Sequence, residues 1–188
     1  MEASRSAVRS EVPNTLARVI AALMAESVGA EVALINGGAI RAGLRKGPIK
    51  LSDVFATLPF DDAVVKIDIK GSDLESALRM SHALPTGSGG KLHAFGLEFH
   101  AHPSSGLKIQ KVHGKDFDPS ATYGLAIGEF LASGGDGYLL FRDVGKNRME
   151  SGLLIRDLLT NFMVTRSPVT RRKIDSIIKP GLSESAHN

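Results

Sequence analysis

The chain has 188 residues, of which 43% are hydrophobic and 23% charged, and these proportions are typical of one globular domain. It contains no cysteine, which excludes disulfide frameworks, cysteine-ligated zinc and thiol nucleophiles. The net charge of +3 is modest for a nucleic-acid binder and lacks interleaved aromatic residues, so we expect no nucleic-acid partner. Such a charge suits a small anionic ligand and equally suits ordinary surface charge.

The sequence shows no membrane or export signal. The N-terminal stretch MEASRSAVRSEVP has no apolar segment typical of a signal peptide. No apolar run approaches the roughly 20 residues that a spanning helix needs. We therefore expect a soluble chain, and the compartment stays open. We expect a flexible lead-in over residues 1–8, one domain over 9–178 and a disordered tail over 179–188.

Apolar periodicity and turn residues predict the elements of the first half. They are a helix that begins after Asn14 and ends at Gly29, a buried strand over 31–35, a turn over 36–41, a short helix over 52–57 and a strand over 63–70. Ser72 with Glu75 has the spacing of a capping box, which predicts a helix from that point.

The second half is predicted to contain more strands than helices. We expect a loop over 85–90, strands over 95–101, 107–113 and 122–128, and a helix over 151–164. Some neighbouring strands lack an intervening helix, so the pattern favours an α+β fold, a mixed β-sheet packed with helices.

The residues of a hydrolytic metal centre are not recognisable in this chain. Two-metal phosphoesterases need clustered Asp, His and Asn, and neither a D-x-H nor a G-N-H-E string occurs. His100 and His102 would share one face of a strand, where a polar edge is favoured over a metal site. We predict no catalytic residue, no metal and no cofactor in this chain.

Two further patterns are weighed and set aside. The stretch TGSGGKL lacks the Ser or Thr that follows the lysine of a phosphate loop, because Leu92 follows Lys91, and a flexible surface loop is favoured. Asp61 and Asp62 are adjacent, so they would point to opposite faces of a strand and cannot act as an acid–base pair. We interpret them as a solvated turn.

Three segments carry candidate binding residues, each with a structural alternative. In ALINGGAIRAG, a strand ends in glycines beside Asn36 and Arg41, which could bind an anion or form a structural ion pair. In TLPFDDAV, Phe60 is either part of the core or an exposed stacking surface. In YGLAIGEFLASGGDGYLLF, Asp136 could accept two ribose hydroxyls or merely occupy a connecting turn, and Phe130 follows a strand.

Taken together, these strings resemble the C-terminal domain of the 5'-nucleotidase family, which includes UDP-sugar hydrolases and ecto-5'-nucleotidases. The resemblance covers roughly residues 9–165. It rests on N-G-G-x-I-R, L-P-F, a G-x-x-L-x-x-A-L helix (Gly71, Leu74, Ala77, Leu78) and F-L-A-x-G-G-D-G-Y, in this order. In that family an N-terminal domain binds two metals and cleaves the phosphate ester, and the C-terminal domain holds and rotates the nucleotide.

The resemblance implies a role for each candidate residue. Phe60 and Phe130 would sandwich the base. The polar contacts would be Asn36 and Arg41 to phosphate, Asp136 to the ribose hydroxyls, and Arg9, five residues before Asn14, to phosphate as well. The chain departs from the family at Phe95, a bulky residue before Gly96 that is expected to alter the base pocket.

We therefore expect the nucleotide- or nucleoside-recognising domain of a 5'-nucleotidase-type metallophosphoesterase. Its partners would be the nucleotide and a catalytic domain in cis or in trans, and only that domain would carry divalent metals. The alternatives are a stand-alone nucleoside-binding module without catalysis, and a relic interaction domain that retains only the fold.

Overall fold

The computed structural model describes residues 14–102 and 106–178. The predicted lead-in over 1–8, the predicted tail over 179–188 and Arg9 lie outside these ranges. In the described ranges the helices are α1 (Thr15–Val28), α2 (Leu51–Thr57), α3 (Gly71–Ala83), α4 (Glu129–Ala132), α5 (Leu139–Val144), α6 (Ile155–Thr165) and α7 (Arg171–Ile178). The strands are β1 (Val32–Asn36), β2 (Ala63–Lys70), β3 (Leu92–Phe95), β4 (Leu97–His102), β5 (Gly106–Val112), β6 (Lys115–Asp116), β7 (Thr122–Gly128) and β8 (Lys146–Leu154).

The main sheet has five strands in the order β3-β1-β7-β2-β8. β1 and β7 are parallel, whereas β3 runs antiparallel to β1, and β2 runs antiparallel to both β7 and β8. A second, antiparallel sheet has the order β4-β5-β6. The predicted α+β class with a mixed sheet is therefore confirmed.

The main sheet is covered on both faces. One core lies under α1, α6 and α7, and the other lies under α3, α5 and the small sheet. Alternate residues of β1 enter the two cores, with Ala33 and Ile35 in the first and Val32 and Leu34 in the second. This double burial explains why β1 is continuously apolar from Val32 to Ile35 rather than alternating.

The first helix follows its predicted boundaries. Asn14 caps α1, because its side-chain oxygen accepts a hydrogen bond from the main-chain nitrogen of Ala17 at 3.2 Å. Gly29 ends the helix in the left-handed region, with φ 59°. The predicted strands over 63–70 and 122–128 also match β2 and β7.

Two predicted boundaries are wrong. The helix predicted over 151–164 begins only at Ile155, because residues up to Leu154 belong to β8. β8 is an edge strand that is mostly exposed and paired irregularly with β2, so it carries no apolar alternation. The strand predicted over 95–101 is two strands, β3 and β4, because Gly96 turns the chain with φ 83°.

The predicted capping box is also wrong. α3 begins at Gly71, and its N-cap position makes no side-chain hydrogen bond. The carboxylate of Glu75 instead accepts a hydrogen bond from the main-chain nitrogen of Ile109 at 3.1 Å and pairs with Arg79 at 3.0 Å. Glu75 therefore ties α3 to β5.

Across residues 14–102 and 106–178, every helix is too short or too polar to cross a bilayer.

Candidate functional site

The sheet topology brings four chain segments to the edge of the main sheet at which β1 and β7 end. β1 and β7 are parallel, so their last residues, Asn36 and Gly128, lie on the same side. β2 is antiparallel to β7 with Val64 opposite Gly128, which places the turn before β2 at that edge. β3 is antiparallel to β1 with Leu92 opposite Asn36, which brings the preceding loop there as well. The candidate residues sit in these segments.

A buried amide holds an exposed carboxylate at the centre of this edge. Asn36 is 5% exposed, and its Nδ2 donates to Oδ2 of Asp136 at 2.7 Å. Asp136 is exposed and has a φ of 53° in the short 3-10 turn Gly135–Gly137. Asn36 therefore orients the Asp136 carboxylate, which remains accessible to a ligand hydroxyl.

Arg41 lies beside Phe60. Its guanidinium carbon is 5.8 Å from the centre of the Phe60 ring, and its Nη1 donates to the carbonyl of Gly38 at 3.3 Å. Its main-chain nitrogen also donates to the carbonyl of Thr57 at 2.8 Å. These partners are an aromatic ring and two carbonyls rather than a carboxylate, which disfavours the structural ion pair as the role of Arg41. Its exposed guanidinium is placed where an anion could reach it.

Both candidate rings are half exposed. Phe60 is 52% exposed and Phe130 is 50% exposed, so neither is a core residue. Phe130 lies against Gly135, where an added Cβ would come within 2.5 Å of its ring. The main-chain nitrogen of Phe130 donates to Oδ1 of Asp62 at 3.0 Å, two residues after Phe60. The site residues thus form one connected cluster around the sheet edge.

The loop over residues 85–91 forms a further part of this edge. The main-chain nitrogens of Gly37 and Gly38 donate to the carbonyls of Lys91 at 2.8 Å and Gly89 at 2.7 Å. An added Cβ at Gly38 would lie 3.2 Å from the Gly89 carbonyl, so glycine permits this close approach. A flexible surface loop was predicted here. The loop is confirmed, its flexibility stays a prediction, and Gly89 packs closely against the backbone of Gly38.

A buried tyrosine supports the same loop. Tyr138 is 1% exposed, and its hydroxyl donates to the carbonyl of Gly90 at 2.8 Å. Burial, reinforced by the negative charge of Asp136, raises the pKa of Tyr138 to about 12. The hydroxyl therefore stays protonated and keeps donating at physiological pH.

The two aspartates that follow Phe60 have separate partners. Asp61 is exposed, as predicted for a solvated turn, but it pairs with Arg156 at 2.5 Å. Asp62 is partly buried beside the start of α4. Burial raises the pKa of Asp62, the charge of Glu129 adds to this effect, and the main-chain N–H groups of Phe130 and Glu129 oppose it.

Phe95 does not enter the site, so the expected change to the base pocket is wrong. It pairs with Ala33 in the sheet register, three residues away from the Asn36–Leu92 pair at the site edge. The ring is 7% exposed, belongs to the core under α1 and makes an edge contact with His113 at 5.6 Å.

The described part of the chain offers no cluster of three or more His, Cys, Asp or Glu residues that could hold a metal ion. His100 lies on β4 in the small sheet, away from the edge that carries Asn36. The site therefore supplies aromatic surface, a hydroxyl acceptor and an anion-binding guanidinium. Groups of these kinds are chemically able to bind and orient a ligand.

Two broad concavities lie elsewhere. A groove of about 880 Å³ runs between the start of α1, the loop over 43–49 and the end of α6. A smaller one of about 370 Å³ lies between α1 and α7. Neither is lined by a candidate site residue.

The fold is that of a nucleotidase domain. The crystal structure of a 5'-nucleotidase precursor from Thermus thermophilus matches with a TM-score of 0.78 and 27% identity, over 89% of this chain and 35% of that one. The NAD nucleotidase of Haemophilus influenzae shares the fold with a TM-score of 0.71 at 16% identity, over 88% of this chain and 34% of its own.

Residues 2–143 match the family model described as 5'-nucleotidase, C-terminal domain, and the chain belongs to this family. It is 33% identical to Protein UshA of Yersinia enterocolitica over 90% of its own length, which is 30% of that relative. The chain thus spans about a third of the length of these relatives. The family resemblance expected from the motifs is confirmed.

Proposed function

We propose that this domain recognises nucleotides or nucleosides on behalf of a metallophosphoesterase half that hydrolyses the phosphate ester, acting in cis or in trans. One observation carries the proposal: two half-exposed phenylalanines share a sheet edge with an oriented carboxylate and an arginine. Aromatic faces, a hydroxyl acceptor and a guanidinium match the base, ribose and phosphate of one ligand class.

The base would stack on Phe60 and Phe130. Each base–aromatic contact contributes roughly 1–3 kcal/mol to binding, and any flat heterocycle accepts such stacking. A ligand that covered the two half-exposed rings would also remove their apolar surface from water, and this burial would add to the free energy of binding.

The polar groups would orient the rest of the ligand. Asp136 would accept hydrogen bonds from the ribose hydroxyls, and its bond from Asn36 would hold the carboxylate in place. Asn36 and Arg41 were both predicted to contact phosphate. Asn36 is 5% exposed and one of its two N–H groups already donates to Asp136, so we assign the phosphate contact to the exposed Arg41, with Arg9 as a second candidate outside the described residues.

Hydrolysis would belong to the partner half. In a two-metal mechanism a metal-activated water attacks the phosphorus. This domain would contribute by holding the nucleotide in a productive orientation, which lowers the entropic part of the barrier. We therefore expect the chain alone to bind nucleosides and to release no phosphate from AMP with manganese, zinc or cobalt.

Calorimetry with adenosine and AMP tests the proposal. Phe60→Ala and Phe130→Ala are expected to weaken both ligands about 5- to 150-fold, the equivalent of 1–3 kcal/mol. Met149→Ala removes a similarly exposed apolar side chain on β8, and it serves as the matched control. Equal affinity in all four proteins would exclude the stacking role, and no binding at millimolar concentration would favour a relic interaction domain.

A further inference from the structure

The turn that carries Phe60 is held by a buried arginine. The Arg156 side chain is 8% exposed, and its Nη1 donates to the carbonyls of Leu58 and Phe60, each at 3.4 Å. Its Nη2 pairs with Asp61 at 2.5 Å. A single guanidinium therefore contacts the main chain of Phe60 and residues on both sides of it in the sequence.

A buried arginine is unfavourable if its only role is to fill space. Its guanidinium lies 4.2 Å from the centre of the Phe55 ring, and its Nε has no hydrogen-bond partner among the described residues. Burying a cation carries a large desolvation cost, which an apolar residue of similar length would avoid. The planar fork, however, can reach two carbonyls and a carboxylate together.

The same turn is bonded to the segment that carries Phe130. Oδ1 of Asp62 accepts from the main-chain nitrogen of Phe130 at 3.0 Å. The carbonyl of Asp62 accepts from the main-chain nitrogen of Ile155 at 3.0 Å, one residue before Arg156. Glycine at position 128 lets the Asp62 carboxylate lie close to the start of α4, because a Cβ at Gly128 would overlap that carboxylate.

We infer that Arg156 and Asp62 are positioning residues that set the relative placement of the Phe60 and Phe130 rings, and so tune base affinity without contacting the ligand. Arg156 fixes the turn on which Phe60 stands, and Asp62 bonds that turn to Phe130. The inference rests on the proposed nucleotide-binding function. Neither residue belongs to the candidate binding set, since each acts through a ring.

A double-mutant cycle tests the Arg156 arm. Arg156→Lys retains the charge but loses the fork, and we expect adenosine affinity to fall about tenfold. If Arg156 acts through the ring, Arg156→Lys in a Phe60→Ala background will change affinity less than about twofold. Arg79→Lys, at an exposed arginine paired with Glu75, is the matched control and should bind as the wild type does. Unchanged affinity in Arg156→Lys, or the same loss in both backgrounds, would overturn the inference.

The Asp62 arm is independent. Asp62→Ala removes the acceptor of the Phe130 N–H, so it should weaken adenosine binding in the wild-type background and leave a Phe130→Ala background unchanged. Asp62→Asn keeps an oxygen that can accept this bond, and it should retain most of the affinity. This arm decides the matter if Arg156→Lys does not fold. Ring-proton chemical shifts of Phe60 in the ligand-free protein separate this inference from the proposed function. Shifts that move in Arg156→Lys but not in Arg79→Lys support positioning even if no nucleoside binds. Shifts identical to the wild type refute positioning even if nucleosides bind tightly.

Discussion

Replacing Gly135 by alanine should move one ring of the site while leaving the fold intact. An added Cβ at Gly135 would lie 2.5 Å from two atoms of the Phe130 ring, whereas ordinary contact begins at 3.4 Å. The ring must therefore shift by about 0.9 Å, the difference between these two distances. Gly135 itself has no left-handed φ, so alanine fits its backbone, and the three nearest atoms all belong to this ring.

Gly135→Ala should weaken adenosine binding more than it lowers the free energy of unfolding. Phe130 is half exposed and can rotate towards solvent, so we expect the free energy of unfolding to fall by only about 0.5–1.5 kcal/mol, the cost of an off-rotamer side chain. Adenosine affinity should fall much more, up to the roughly 5- to 150-fold expected for losing one stacking partner. Phe130→Ala sets the upper limit of this loss.

Urea denaturation measures the free energy of unfolding, and calorimetry measures adenosine affinity, for Gly135→Ala, Phe130→Ala and the double variant. In the Phe130→Ala background the new methyl group has room, so Gly135→Ala should add almost nothing to the loss of affinity. Wild-type affinity in Gly135→Ala would refute the reasoning. So would an equal loss with and without the Phe130 ring.

Three further substitutions probe the same edge. Asn36→Asp puts a second carboxylate against Asp136 and removes a donor to it, so it should lower the free energy of unfolding by roughly 3 kcal/mol at neutral pH, measured by urea denaturation. Tyr138→Phe leaves the carbonyl of Gly90 without its donor and should cost roughly 1–3 kcal/mol by the same assay. Because the pKa of Tyr138 is raised to about 12, its contribution should be complete below pH 10 and disappear as the pH rises through 12. For Asp62, whose folded pKa is raised from 3.8, the wild type should lose stability relative to Asp62→Asn as the pH rises above 3.8, and thermal melts from pH 3 to 7 measure this.

Each of these three predictions has an outcome that would contradict it. Asn36→Asp with wild-type stability would mean that the amide is not an essential donor. A Tyr138→Phe difference that persists undiminished above pH 12 would contradict the hydroxyl's role. A wild type that gains stability over Asp62→Asn as the pH rises would mean that hydrogen bonding to the carboxylate outweighs its burial.

The regular elements were predictable where a local signal existed. Asn14 and Gly29 bound α1 because a side-chain cap and a left-handed residue leave recognisable residue types in the sequence. β8 carried no such signal, because an exposed edge strand pairs through its backbone and its largely exposed side chains follow no apolar alternation. Turn and strand-end patterns drew attention to five of the candidate site residues, and the motif resemblance supplied their roles and added Arg9.

The supporting residues of the site were not predictable. Nothing in the sequence indicates that Tyr138 reaches Gly90, 48 positions away, or that Arg156 reaches the Phe60 turn. Such contacts depend on which strands become neighbours, and local patterns do not specify strand order. The contact between Gly89 and Gly38 was not predictable for the same reason, because it joins the loop over 85–91 to a turn that is distant in the sequence.

Nuclear Overhauser effects between a bound base and assigned ring protons test the central claim most directly. With saturating adenosine, the account predicts contacts from the base protons to the rings of both Phe60 and Phe130 in one complex. Contacts to only one ring would contradict the sandwich. Contacts to residues of the groove between α1 and α6, such as Leu16 or Phe162, would place the ligand elsewhere and contradict the site.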